Sequence, residues 1–406
     1  MTQLADKKIL LGITGSISAY KAADWVRALR KEGGTVTVVM TESATKFISP
    51  LTMAALSGNR VYHHMFKDDE PEKIPHINLA REHDLNLIAP ATAQTIGRLA
   101  HGLTDDLLSA IILASSAPTV VCPAMNSKMY LHPATQTNIA TLKTYGYHLV
   151  DPDNGTMACG EEGPGRLTEW PVARQTILKV LAKQDLAGES ILITAGPTRE
   201  PFDPVRFLSN RSSGKMGYAL AEAASQRGAR VTLVSGPTTL PAPAGVELIA
   251  ITSAQQMHRE VMARVGEMSV VIKAAAVSDY RPASTYDHKV KKGQPSLQFE
   301  LIANPDILKE LGQDKKNSGC VTPLLVGFAA ESQNHLEEGS RKLREKNLDM
   351  IVINDIGGAN TGFEVDTNRV TMIDRNNGRE ELPLLSKEET AHRILDRLLQ
   401  LMEGKR

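Results

Sequence analysis

The stretch Ile191–Gly217, ILITAGPTREPFDPVRFLSNRSSGKMG, decides the fold. It opens as a short apolar strand, Ile191 to Ala195, and breaks at Gly196-Pro197. A polar loop follows, and Ser212-Ser213-Gly214-Lys215 leads into a helix. A glycine-rich turn feeding a helix N-terminus turns unpaired backbone N–H groups and the positive end of the helix dipole towards an anion. An earlier segment, Lys8–Tyr20 (KILLGITGSISAY), opens in the same way. Two strand–turn–helix openings predict two α/β domains in tandem, at 1–188 and 189–406, each with its own ligand.

The chain has 406 residues, which suits two domains at roughly 100–200 residues each. Hydrophobic residues make up 42% and aromatics only 4%, so aliphatic and alanine packing must fill both cores. Lys+Arg and Asp+Glu both total 46, a formal net charge of zero. That balance argues against a general nucleic-acid or membrane-surface binder, which needs a basic excess, and leaves room for local patches. The three cysteines, Cys122, Cys159 and Cys320, make neither a C-x-x-C pair nor a disulfide framework. The first residues lack a signal peptide's uninterrupted apolar stretch, and no segment reaches the roughly 18 apolar residues of a membrane helix. The expectation is a cytoplasmic protein with no nucleic-acid or membrane partner.

Lys8–Ile13 reads as a buried strand, followed by a helix to about Lys31 with Ala22, Val26 and Leu29 on one face. Thr35–Met40, Asp84–Ala89 and Thr119–Cys122 are further strands, the last two running into Pro90-Ala-Thr92 and Pro123-Ala-Met-Asn126. Strands alternating with helices imply a parallel sheet, with ligands beyond its carboxyl ends, where Gly15, Thr41, Thr92 and Asn126 fall. Asp151–Arg166, rich in glycine, reads as a mobile flap, and Lys183–Glu189 as the linker. The second half repeats the pattern with a helix Met216–Arg227 and strands at Val231–Ser235, Val246–Ile251, Ser269–Ala274, Leu324–Phe328 and Met350–Ile353. Val370–Ile373 reads as a late antiparallel addition, and Pro282–Leu297 as a loop or loose hairpin.

Each candidate site has a bland alternative. The turn Gly12-Ile-Thr-Gly15-Ser16-Ile17-Ser18 suits a phosphate, or is a tight strand–helix turn without ligand. It is not G-x-G-x-x-G, and Val231–Ser235 does not end in the acid that holds an NAD ribose, so a mononucleotide such as a flavin phosphate fits better. Glu42 stands near the ribose-acid position in the first domain. Cys159, set among glycines, is poorly explained by packing, whereas Cys122 ends an apolar strand and reads as buried. His76, taken alone, is a cap or surface residue, and His63-His64 lacks ligand spacing for a metal. Ser212–Lys215 lacks the full G-x-x-x-x-G-K-[ST] pattern, which argues against a P-loop ATPase. Lys289-Val-Lys-Lys292 either neutralises a polyphosphate or is a solvated run. Ala274-Ala-Ala-Val-Ser-Asp279 follows a strand end; its small residues admit a ligand to the backbone, and Asp279 supplies a carboxylate.

Taken in order, these pieces resemble the bifunctional phosphopantothenoylcysteine decarboxylase/phosphopantothenate–cysteine ligase family of bacterial coenzyme A synthesis, over nearly the whole chain. The matching pieces in the first half are Gly12–Lys21, His76–Ala80, Ala89–Ala93, Pro123–Asn126 and Ala158–Gly160. Those in the second are the opening stretch, Ala274–Pro282, Lys289–Lys292, Ala303–Asp306 and Gly327–Glu331. Three departures stand out: Arg81-Glu82-His83, Lys273 where an apolar residue is common, and Ser332 where threonine is usual.

The resemblance implies two tandem Rossmann-like domains, the first a flavodoxin-like FMN decarboxylase and the second a CTP-dependent ligase. It implies an acyl-cytidylate of 4'-phosphopantothenate, attacked by cysteine, then oxidative decarboxylation to 4'-phosphopantetheine. His76 would be the base, Asn126 would hold the departing carboxylate, and Cys159 would donate the final proton. Gly15, Ser16, Thr41 and Thr92 are candidate FMN contacts. Asn210 would hold the activated carbonyl and Lys289 would assist its formation. CTP would meet Ala274, Ala275, Asp279, Lys289, Pro305, Asp306, Ile307, Leu308, Phe328, Lys342 and Lys346. Lys342 and Lys346, four apart, can share a helical face. Mg2+ would bridge the phosphates, with Asp279 as a candidate ligand. The implied assembly is a homo-oligomer, a dodecamer of trimeric decarboxylase and dimeric ligase units. Two other classes compete: an NAD(P)-dependent oxidoreductase, which would be colourless and bind NADPH, and a non-catalytic nucleotide-binding scaffold.

Overall fold

The computed structural model describes residues 4–65, 75–158, 160–291, 298–319, 322–331, 335–355 and 365–403. Cys159, Lys292, Cys320 and Ser332 lie outside the described residues. The chain divides into two compact units, Met1–Ala182 and Lys183–Arg406.

The first unit is built on six strands: β1 Lys8–Ile13, β2 Thr35–Met40, β3 Val61–Tyr62, β4 Leu85–Ala91, β5 Thr119–Pro123 and β6 His148–Leu149. Their order is β3-β2-β1-β4-β5-β6, and every neighbouring pair is parallel. A parallel sheet needs cover on both faces, so its central strands carry unbroken apolar runs. All seven residues of β4 are buried. Helix Lys21–Lys31 packs Trp25, Val26 and Leu29 on one face, and helix Leu107–Ala114 packs Leu108 and Ile111 on the other. The chain leaves β1 for β2 on one side and later enters β4 on the other, so a crevice opens beyond the ends of β1 and β4.

Among the described residues, the main sheet of the second unit has eight strands: β7 Ser190–Ala195, β8 Arg230–Ser235, β9 Val246–Ala250, β10 Val270–Lys273, β11 Leu324–Glu331, β12 Met350–Asp355, β13 Val370–Asp374 and β14 Arg379–Glu381. The order is β9-β8-β7-β10-β11-β12-β13-β14. The first six are parallel; β13 runs antiparallel to β12, and β14 to β13. Helices Lys215–Gln226 and Lys387–Glu403 cover one face, and Ala254–Arg264 and Ile307–Ser318 the other. The equivalent reversal lies between β7 and β10.

Two segments differ from the sequence reading, and a third takes one of the two forms that reading allowed. Residues read as a flap form an antiparallel ribbon, Asp153–Thr156 with Glu162–Arg166. Glycines hide its strand period, yet one is required: at Gly165 (φ 144°) a Cβ would sit 2.2 Å from the Met125 carbonyl oxygen. The polar loop after Gly196 holds a small pair, Arg199–Pro201 with Phe207–Ser209. Tyr280–Pro282 pairs with Leu301–Ala303, which makes the 282–297 segment part of a hairpin whose residues 292–297 are outside the described set. The strands β3 and β6 have two residues each, too short to carry a period.

Candidate active sites

In the first unit, the ends of β1, β2 and β4 are tied together. Thr14 donates from Oγ1 to the Pro90 carbonyl (2.6 Å) and accepts from the Thr92 N–H (3.0 Å). It thereby staples β1 to β4 at the reversal, a role the sequence reading missed. The Thr41 N–H donates to the Ile13 carbonyl at 3.0 Å, and Thr41 Oγ1 accepts from Ala44 N–H at 3.3 Å. Thr92 caps helix Ala93–His101. At Gly15 a Cβ would lie 2.4 Å from Ser43 Cβ, so close packing already requires a glycine there. Ser16 caps a short 3-10 turn, Ile17–Tyr20, by accepting from Ser18 N–H.

Beside this edge lies a cavity of about 470 Å3, lined by Ser16, Ser18, Lys21, Asn126, Met157 and Arg166 among others. Asn126 accepts from Lys128 N–H (2.9 Å) and donates to Glu161 Oε2 (2.7 Å). Glu161 is also paired with Lys128 at 3.0 Å. The Asn126 hydrogen bond, then Lys128, holds the Glu161 carboxyl below its usual range. Glu161 and Lys128 were absent from the sequence reading; only the fold of the ribbon brings Glu161 back to Asn126. Ser16 and Asn126 share the cavity wall, while Gly15, Thr41, Thr92 and His76 are not among its lining residues. His76 is the second residue of helix Pro75–Arg81, half-buried. Cys159 lies outside the described residues, between the two ribbon strands. Cys122 is fully buried, and burial pushes its thiol far up, as a packing role requires.

In the second unit, a cavity of about 290 Å3 opens beyond β7 and β10. Its walls are joined by one backbone bond, Ala276 N–H to the Gly196 carbonyl at 3.0 Å, and one to a side chain, Ala275 N–H to Thr194 Oγ1 at 3.2 Å. Asn210 lines it and donates to the Val277 carbonyl at 3.0 Å. Ser212, Ser213 and Gly214 lead into helix Lys215–Gln226, whose N-cap Gly214 (φ 77°) offers no side-chain cap. Ala274, Ala275, Asp279, Phe328, Lys342 and Lys346 all line the same space.

Five lysines face this cavity, Lys215, Lys273, Lys342, Lys346 and Lys387, against the single carboxylate Asp279 among its lining residues. A chain of zero net charge has thus gathered cations at one point. Lys215 pairs with Asp366 at 2.6 Å, and Lys346 with Asp306 at 2.7 Å. Burial, and then the charge of Lys215, lowers the Lys387 ammonium. Burial alone would raise Asp306; Lys346, the Lys309 N–H and Lys273 overcome it and hold the carboxyl low. Asp306 caps helix Ile307–Ser318. Ile307 and Leu308 are buried in the core, so only their main chain can meet a ligand. Two further amides line the wall, Asn354 and Asn368, each with a buried side-chain oxygen that has no partner among the described residues. Lys215, Lys387, Asn354 and Asn368 were not singled out as ligand residues; the last three lie more than a hundred residues beyond Asn210, and no local motif marks them.

Lys289 is exposed and outside the cavity lining. Its segment is anchored next door: Arg206 donates to the Val290 carbonyl at 2.6 Å, and the Val290 N–H donates to Asp203 at 3.2 Å. Among the described residues no group of three His, Cys, Asp or Glu is placed to hold a metal, and no helix is long and apolar enough to cross a membrane.

Two family models divide the chain at almost the same place as its two units. One, described as Flavoprotein, matches residues 1–182; the other, the DNA/pantothenate metabolism flavoprotein C-terminal domain, matches 186–402. The Coenzyme A biosynthesis bifunctional protein CoaBC of Bacillus subtilis (strain 168) is 45% identical over 406 residues, covering 98% of this chain and 98% of its own. The chain belongs to the family of coenzyme A biosynthesis bifunctional proteins. Its namesake relative from Escherichia coli (strain K12) is 42% identical, covering 99% of each chain. A crystal structure of the C-terminal domain of a CoaBC protein is 46% identical, covers 55% of this chain and 100% of its own, and gives a TM-score of 0.46. As a member of this family the chain is a bifunctional enzyme, a flavoprotein decarboxylase half followed by a ligase half.

Proposed function

We propose that the second unit joins cysteine to 4'-phosphopantothenate using CTP, and that the first decarboxylates the product to 4'-phosphopantetheine with FMN. The five-lysine cavity at the β7–β10 reversal carries the ligase half of this reading. A nucleoside triphosphate with Mg2+ is a dense anion, and an open helix N-terminus beside converging lysines suits it. The strand order β9-β8-β7-β10-β11-β12 supports a Rossmann-like nucleotide site. The substrate carboxylate attacks the α-phosphorus of CTP and expels pyrophosphate. The amine of cysteine then attacks the acyl carbon and expels CMP. Asn210, fixed by its bond to Val277, presents its amide at the cavity to orient the activated carbonyl. Lys289 reaches the phosphates from the exposed 203–206-anchored segment, and Asp279 is the candidate Mg2+ ligand.

The first cavity fits a flavin mononucleotide in its donor set: Ser16 and Ser18 hydroxyls, the Gly15–Ser16 turn, and Lys21 at its side. Without the two-residue β3, its strands run in the flavodoxin-like order 2-1-3-4-5. Bound FMN would supply reversible two-electron oxidation of the cysteinyl end. Asn126 would hold the substrate carboxylate where it now holds that of Glu161, His76 would accept a proton, and Cys159 would return one. Ile17 and Tyr20 are both 59% exposed beside this cavity, which supports its closure by a second copy in a trimer and, through paired ligase units, a dodecamer. A soluble enzyme acting on small molecules in the cytoplasm is consistent with all of these features.

Two variants test the halves separately. Asn210→Asp is expected to release pyrophosphate without forming amide; equal loss of both steps would reject its assigned role. Cys159→Ser is expected to release carbon dioxide and stall at the enethiol; normal product at the full rate would remove Cys159 from the mechanism.

A further inference from the structure

Lys273 ends β10, registered with Thr194 of β7 and Gly327 of β11 at the β7–β10 reversal. Its side chain shares a face with Val271, the face that packs against helix Ile307–Ser318. The neighbouring position on that face, Gly327, has no side chain, so the space over the strand end is left to Lys273. Lys273 lines the cavity. Among the described residues it makes no hydrogen bond and no close ion pair. Lys346, beside it, is already matched to Asp306 at 2.7 Å. A half-buried cation with no bonded partner is costly unless something else accepts from it.

Two helix N-termini border this space. That of Lys215–Gln226 has no side-chain cap and stays open to phosphate. That of Ile307–Ser318 is already occupied by Asp306, whose Oδ1 accepts from Lys309 N–H at 3.2 Å. Phosphates therefore belong at the Gly214–Lys215 end. Lys273 lies on the other face of the sheet, and that side is left for the nucleoside.

We propose that Lys273 is a base-reading residue of the nucleotide cavity, donating to a carbonyl oxygen or ring nitrogen on the edge of the nucleobase. The inference rests on the nucleotide reading of this cavity and adds a contact that reading did not contain. Burial, and then the charge of Lys346, pull the Lys273 ammonium down to about 8, while Asp306 and Asp279 oppose them. Lys273 is thus charged at pH 7 and largely neutral by pH 9. Nucleotide affinity that depends on it falls across that interval.

The test is calorimetric titration of the full-length protein with Mg2+ and no phosphopantothenate, comparing CTP with inorganic tripolyphosphate. For Lys273→Met, CTP binding at pH 7 is expected to weaken roughly tenfold while tripolyphosphate binding stays as in the wild type. The fall in CTP affinity between pH 7 and 9 should shrink in the variant. Unchanged CTP affinity would overturn the proposal. Equal weakening of both ligands would overturn it too, since Lys273 would then be a phosphate contact. Wild-type protein that binds no CTP would overturn the nucleotide reading itself. Methionine replaces the stem at similar length and removes a buried charge, so the variant should melt no lower than wild type; Lys273→Leu, which also lacks a donor, provides the same comparison if it does.

Discussion

At the scale of single residues, the two sites depend on side chains that hold backbone in place as much as on those aimed at a ligand. Thr14 is 1% exposed and joins two strand ends with one hydroxyl. Thr14→Val keeps the shape and leaves the Thr92 N–H and Pro90 carbonyl without that partner. The expected cost is about 1–3 kcal/mol, read as a lower unfolding midpoint of the first unit, together with weaker flavin retention. Glu161 sits on Asn126, the side chain proposed to receive the substrate's carboxylate. A second carboxylate brought to that amide would meet the charge of Glu161, so Glu161→Ala is expected to lower KM for phosphopantothenoylcysteine. A KM that rises instead would mean that Glu161 orients Asn126 rather than competing at it. Residues of this kind were illegible in the sequence. Thr14 and Glu161 belong to no motif; their partners lie 76 and 35 positions away. Asn126 stands beyond a strand end that the apolar run Thr119–Cys122 locates, whereas Asn210 was singled out only through the family resemblance.

At the scale of elements, apolar runs of five or six residues gave away the buried strands, and β1, β2, β8 and β12 stand within two residues of where their sequences place them. The ribbon at Asp153–Arg166 escaped because glycine carries neither strand propensity nor alternation. The segment read as a loop or loose hairpin is flanked by a hairpin's paired strands, Tyr280–Pro282 and Leu301–Ala303, which at three residues each are too short to carry a period. Helix Lys215–Gln226 is tied to its surroundings at Arg227, just beyond its end. Arg227 makes two 2.8 Å bonds to Asp185 and one to Asp396 at 2.8 Å. Burial alone would raise the Asp185 carboxyl, but the Arg227 fork holds it below the ordinary value. A carboxyl lowered in the folded state adds stability above the unfolded pKa and loses it as pH falls through the folded one. Arg227→Met should therefore cost about 1–3 kcal/mol at neutral pH, largely by leaving Asp185 without its partner. The loss should shrink in denaturant titrations carried below about pH 4, where Asp185 is protonated in the unfolded chain. A deficit that is constant from pH 7 to pH 3 would assign it to packing instead.

At the scale of the whole molecule, two units with separate cores carry two separate chemistries. The first unit's core clusters contain no residue beyond Leu178, and the second's begin at Leu186. Thermal unfolding of the holoenzyme is expected to resolve two transitions. CTP with Mg2+ should raise only one of them, and flavin release should follow the other, because a ligand stabilises only the unit that binds it. The repeat of strand, glycine turn and helix at Lys8 and at Ile191 is the sequence signal that points to two such units. Composition could not show the lysine cluster, because equal charge totals conceal how charge is arranged in space. The most direct measurement supplies the intact protein with 4'-phosphopantothenate, cysteine, CTP and Mg2+, and identifies the products by mass. The account predicts 4'-phosphopantetheine, CMP, pyrophosphate and carbon dioxide in equal amounts. Unconsumed phosphopantothenate, with CTP intact, would contradict it.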